Sequence, residues 1–104
     1  MADLQVCVDG QICPAAEATV PVADRGFMYG DGIFETLRVY GGRVFAWERH
    51  RQRLRRGCEL LRIDLAVDDD TLADWIDALL TANGLREAYL KIMVSRGVTG
   101  GRLR

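Results

Sequence analysis

Lysine and histidine each occur once, as Lys91 and His50, and that scarcity removes most acid–base and nucleophilic centres from consideration. A lone histidine has no partners with which to form a Ser-His-Asp triad and no companion ligands for a metal. His50 is therefore expected to be a hydrogen-bonded structural residue near the core. The three cysteines, Cys7, Cys13 and Cys58, are odd in number and share no Cys-x-x-Cys spacing, which argues against a disulfide scaffold or a zinc site. Reduced, mostly buried thiols are expected instead. No apolar run approaches the ~20 residues of a membrane span, and no basic segment at the N-terminus leads into an apolar core of signal-peptide length. The expected setting is the cytoplasm, with no membrane partner. Positive charge is not in excess either: 14 Lys and Arg against 15 Asp and Glu leave a net charge of -1, with no overall field to attract nucleic acid.

What is present suffices for one small globular domain over residues 1–104. A chain of 104 residues buries roughly two-thirds of the surface it exposes when unfolded. Leu4 to Val8, the turn dipeptide Asp9-Gly10 and Gln11 to Cys13 read as a hairpin. Gly41-Gly42 joins a strand from Ile33 to Tyr40 to Arg43, Val44 and Phe45 as a second hairpin. Two hairpins argue for an antiparallel sheet. From Trp47 to about Arg62 the period changes, and Trp47, Leu54, Cys58 and Leu61 fall on one helix stripe. Asp68, Asp69 and Asp70 can cap a second helix, whose stripe is Leu72, Trp75, Ile76, Leu79 and Leu80 and whose stop is Asn83-Gly84. Glu87 to Ser95 alternates as a last strand. The fold class is α+β, a small antiparallel sheet with two packed helices.

The chemistry concentrates between Asp24 and Tyr40, where a loop with Gly26, Gly30 and Gly32 runs into the first long strand. Glycine admits positive φ and close approach of backbone or ligand, and a loop delivered onto a rigid strand is a common way to build a site. Phe34, Thr36, Arg38 and Tyr40 share one face of that strand; an arginine between aromatics suits a carboxylate pocket. Ile33, Glu35, Leu37 and Val39 share the other, so a buried Glu35 requires a cation, for which Arg25 is the candidate. Asp31 reads as a turn former. Six arginines, at positions 49, 51, 53, 55, 56 and 62, give the first helix a solvated basic face. Arg53 stands apart: about 100° round the helix from Leu54, it can leave the edge of the core and point along a cleft, and a planar guanidinium matches phosphate bidentately.

Asp24-Arg25-Gly26, Tyr29-Gly30-Asp31-Gly32 and Phe34-Glu35-Thr36-Leu37-Arg38, followed by Glu48-Arg49-His50, Arg53-Leu54, Tyr89-Leu90-Lys91 and Ser95-Arg96-Gly97, resemble in order and spacing the class IV (fold type IV) pyridoxal-phosphate aminotransferases. That family includes branched-chain and D-amino-acid aminotransferases and aminodeoxychorismate lyase. The resemblance covers nearly the whole chain and implies the N-terminal domain of such an enzyme, with the C-terminal cofactor-binding domain absent. It implies pyridoxal 5'-phosphate as cofactor, with Arg53 on its phosphate, and an amino acid (branched-chain-like) and a 2-oxo acid as substrates. Tyr29, Phe34, Arg38, Tyr89, Lys91 and Arg102 match positions on the substrate side, and the parent enzyme is expected to be a homodimer. Lys91 matches the carboxylate region rather than the Schiff-base lysine, which lies well downstream in this family. The chain alone is accordingly expected to be inactive. Two alternatives stand beside this reading: aminodeoxychorismate lyase, favoured by Lys91 and Gly100-Gly101-Arg102, and a non-catalytic binding or dimerisation module.

Overall fold

The computed structural model describes residues 3–98. The first hairpin forms as its turn chemistry dictates. β1 (Gln5–Val8) and β2 (Gln11–Pro14) pair antiparallel across Asp9 and Gly10, which take φ of 50° and 84°. Positive φ at both turn positions matches the twist of the flanking strands. The hairpin does not join the main sheet, contrary to the single sheet expected. It is held instead by the second long helix: the Asn83 side chain accepts from Gln5 N–H at 2.8 Å and donates to Gln5 C=O at 3.0 Å, so one amide satisfies both backbone groups of a strand residue. Trp75 packs so closely under the turn that a Cβ on Gly10 would lie 2.7 Å from its ring.

The main sheet has the order β4-β3-β5, built from β3 (Gly32–Tyr40), β4 (Arg43–Val44) and β5 (Ala88–Ser95), all antiparallel. β4 is one residue shorter than expected, since Phe45 is not part of it. Two long helices cover one face: α2 (Trp47–Leu61) and α3 (Asp69–Asn83). A third, short helix, α1 (Arg25–Tyr29), replaces the open loop expected before β3, with Asp24 capping it by accepting from Phe27 N–H. α3 follows its capping signals, with Asp68 accepting from Thr71 N–H and Gly84 closing the end at φ 63°. Val39, Ile76 and Leu80 form the centre of the core, with Val44, Trp47, Ala88, Leu90 and Ile92 against it.

The α2 stripe is buried at Leu54 (1% exposed) and Cys58 but not at Leu61, which is 41% exposed. The helix ends there: Arg62 turns left-handed at φ 55°, Ile63 N–H bonds back to Cys58 C=O, and Ile63 enters the core in place of Leu61. A closing turn of this type brings a hydrophobic residue beyond the helix back onto its last turn, which periodicity alone does not reveal. Two arginines also depart from the solvated face. Arg51 pairs with Glu48 and Asp69, while Arg55 binds Asp69 and the carbonyls of Leu65 and Val67, tying α2 to the start of α3. Of the three thiols only Cys58 is buried, and burial raises its pKa; Cys7 and Cys13 are half-buried.

Candidate functional site

The sheet face turned away from α2 and α3 is uncovered among the described residues, and it brings together four residues singled out in the sequence. In the β3–β5 ladder Phe34 stands opposite Met93, Thr36 opposite Lys91 and Arg38 opposite Tyr89. Lys91 Nζ lies 4.3 Å from the centre of the Phe34 ring. The Arg38 guanidinium sits between two rings, 4.5 Å from Tyr89 and 4.9 Å from Tyr40. Its Nε is buried, yet has no hydrogen-bond partner among the described residues. Two cations on an aromatic floor form a surface that can take up an anion such as a carboxylate.

Arg53 lies on the other side of β3, on the exposed flank of α2. Its Nε and Nη2 donate to both oxygens of Glu35, at 2.7 to 3.1 Å, and His50 Nδ1 meets the same carboxylate at 2.5 Å. Glu35 is 6% exposed and the Arg53 side chain 72% exposed. Hydrogen bonds from Arg53 hold the Glu35 carboxyl below its usual pKa, burial opposing and His50 assisting. The sequence expectation for the partner of Glu35 is Arg25; the structure gives Arg53 and His50 instead, because α2 and not α1 packs on that face of β3. His50 has the structural, hydrogen-bonded role expected of it.

Beside Arg53 is an open depression of about 450 Å³, lined by Ile33, Phe34, Glu35, Thr36, Leu54 and Gly57 as well as Arg53 itself. It forms because β4 pairs with β3 only at Val39 and Tyr40, leaving Ile33 to Thr36 without a strand partner on that side among the described residues. Gly57 brings helix and strand together, since a Cβ there would fall 2.8 Å from Ile33 Cδ1. The depression wraps round the strand edge, taking side chains from both faces of β3.

Tyr29 lies outside this grouping, exposed on α1, with the Arg25 guanidinium 4.8 Å from its ring centre. Arg102 lies outside the described residues. Asp31 is more than a turn former. Arg96 donates to both its oxygens and Arg25 to one, and these bonds, led by those from Arg96, depress its pKa. Arg96 also binds the carbonyls of Leu61 and Arg62, so Asp31 is tied to the end of α2. Asp24, also buried, accepts from Ser95 Oγ at 2.6 Å. These staples join residues 65 and 71 positions apart, and no short-range pattern reports such pairs.

The fold has known counterparts. The family model for amino-transferase class IV matches residues 32–102. A putative branched-chain-amino-acid aminotransferase of Methanocaldococcus jannaschii is 36% identical over 95 residues, which are 91% of this chain and 33% of that protein. A D-alanine aminotransferase of Listeria innocua is 30% identical over 99 residues, 95% of this chain and 34% of its own. Among solved structures, the branched-chain amino acid aminotransferase of Escherichia coli superposes with a TM-score of 0.80 at 25% identity, over 88% of this chain and 32% of that one. A branched-chain aminotransferase of the thermophilic archaeon Thermoproteus uzoniensis, solved with norvaline, gives 0.75 at 29% identity, over 88% and 32%. The chain thus spans about a third of the length of the curated relatives it matches. Because the family match runs through β3, both long helices and β5, it takes in the elements that build the open sheet face and the depression at its edge, and on that ground the chain belongs to the class IV aminotransferases.

Proposed function

We propose that this chain is the N-terminal portion of a pyridoxal-phosphate-dependent class IV aminotransferase that moves an amino group between a branched-chain-like amino acid and a 2-oxo acid. The observation that carries the reading is the depression at the free edge of β3, where Arg53 from the helix side meets Phe34 and Thr36 from the open face. A phosphate fits the donors on offer. Glu35 takes one edge of the Arg53 guanidinium, the Nη1 end has no partner among the described residues, and Gly57 keeps the wall free of a side chain. The cofactor, when bound, supplies an aldehyde for the amino group and an electron-withdrawing ring.

In this reading the chain's own residues bind and orient. Arg53 anchors the phosphate. Arg38 and Lys91 hold the substrate carboxylate, and Phe34 and Tyr89, whose rings lie against these two cations, supply apolar walls. Lys91, over Phe34 on the open face, is assigned to the substrate carboxylate rather than to the cofactor, in keeping with the downstream place of the Schiff-base lysine in this family. Turnover therefore needs chain beyond this domain, in an enzyme that works as a homodimer. Three free thiols are compatible with a cytoplasmic setting, and among the described residues no helix is long and apolar enough to cross a membrane.

The experiment is cofactor titration of the full-length apo-enzyme carrying this domain. Arg53→Ala is expected to weaken pyridoxal-phosphate binding about ten- to a hundredfold, the loss of a charge-assisted contact. Arg53→Lys should recover only part, since an ammonium keeps the charge and loses the fork. Binding unchanged in Arg53→Ala would remove the phosphate role.

A further inference from the structure

We propose that Glu35 is the positioning residue for the anion-binding arginine: its buried carboxylate grips one edge of the Arg53 guanidinium and thereby aims the opposite edge into the depression beside β3. The proposal rests on the reading of Arg53 as a phosphate contact, and goes beyond it by assigning the residue that makes the contact pre-organised.

The placement of Glu35 is the first reason. It sits on the apolar face of β3 between Ile33 and Leu37 and is 6% exposed. An aliphatic residue in such a position generally stabilises a fold at least as well as a buried charge does. Its partner, in contrast, has a side chain that is 72% exposed and needs no ion pair to be solvated. A buried anion holding an exposed cation does little for burial and much for geometry.

The second reason is the way the donors are divided. Arginine presents its N–H groups as two forks, one along Nε and an Nη, the other across the two Nη atoms. Glu35 occupies the first, with Nε at 3.1 and 3.0 Å from its two oxygens and Nη2 at 2.7 Å from Oε2. The second fork remains for a ligand, and a planar fork pairs well with two phosphate oxygens. Without the carboxylate, a long side chain on an open helix flank samples many rotamers, and an anion must order it on binding.

The third reason is that Glu35 is itself fixed. His50, three residues before Arg53 on α2, brings Nδ1 to Oε2 of this carboxylate, which a residue of β3 carries. His50 and Arg53 converge from one helix face on one carboxylate. Glu35 therefore acts through Arg53 and need not touch the ligand.

The test uses inorganic phosphate and the 104-residue chain, read by NMR at the Arg53 Nε–H resonance, with added chloride salt at about 0.5 M to screen the direct effect of the Glu35 charge on the anion. Glu35→Gln, nearly isosteric, is expected to weaken phosphate binding about three- to tenfold and to lose the slowly exchanging Arg53 Nε–H signal. Glu35→Asp keeps the charge and a foldable pair but draws the guanidinium back, so it should also weaken binding. It serves where the glutamine variant does not fold. Unchanged or tighter binding in a folded Glu35 variant, with binding still abolished by Arg53→Ala, overturns the positioning role and leaves the phosphate role of Arg53 intact. Phosphate binding that Arg53→Ala does not affect overturns both.

Discussion

Arg38 and Tyr89 stand directly opposite each other in the β3–β5 ladder, and the Arg38 guanidinium carbon lies 4.5 Å from the centre of the Tyr89 ring. An aromatic face holds a cation in place without using up its hydrogen-bond donors, and Arg38 Nε has no partner among the described residues.

Arg38→Met is expected to weaken binding of a 2-oxo acid to the full-length enzyme by about 1.5 to 3 kcal/mol, the value of a hydrogen bond to a charged group. Tyr89→Leu removes only the support and should weaken it by about 0.5 to 1 kcal/mol. The double variant should fall short of the sum, because the two side chains are in contact. Titration with the oxo acid measures all three, and an Arg38→Met enzyme with the affinity of the wild type refutes the carboxylate role.

The isolated 104-residue chain should neither turn over an amino donor nor form a specific adduct on Lys91 when mixed with pyridoxal phosphate and reduced with borohydride. Lys91 lies over Phe34 on the open face of the sheet. Peptide mapping checks this: stoichiometric, saturable labelling of Lys91 together with turnover contradicts the assignment.

The exchange of Leu61 for Ile63 at the end of α2 has a stability signature. Leu54→Ala should destabilise the chain by about 2 to 5 kcal/mol, as a cavity in a fully buried site does. Leu61→Ala should change stability by no more than about 0.5 kcal/mol, the range for exposed sites. Urea unfolding separates them, and equal losses would restore Leu61 to the core.

Acid should weaken the fold through two carboxylates. Arg53 holds Glu35, and Arg96 holds Asp31, below the usual carboxylate range in the folded chain. Over the pH window between the ordinary and the lowered values the unfolded chain binds more protons than the folded one. Stability from these pairs is therefore complete above the ordinary carboxylate range and is lost as pH falls through the lowered values. Glu35→Gln should be less stable at neutral pH, and its stability should depend less on pH below the ordinary range. Unfolding curves at a series of acid pH values measure the difference; parallel curves for the two proteins would show that Glu35 does not contribute to this pH dependence.

Much of this architecture is legible in the chain itself, because its determinants are local. Asp9-Gly10 and Gly41-Gly42 set two hairpins, Asp68 and Gly84 bound α3, and alternation along β3 and β5 puts Phe34 with Arg38, and Tyr89 with Lys91, each pair on one face of its strand. Tertiary structure decided what depends on partners distant in sequence. Asn83 holds the first hairpin away from the main sheet through Gln5, a residue 78 positions earlier. Arg53 rather than Arg25 meets Glu35, because the packing of α2 on β3 chooses the cation that reaches a buried carboxylate. Gly26 and Gly32 illustrate the division: sequence allows positive φ at both, but only Gly30 of the three uses it, and the other two lie where a Cβ would strike Ser95 or the Val94 carbonyl. Periodicity and turn chemistry follow from a residue's immediate neighbours along the chain, whereas ion pairs and close contacts depend on which surfaces folding brings together.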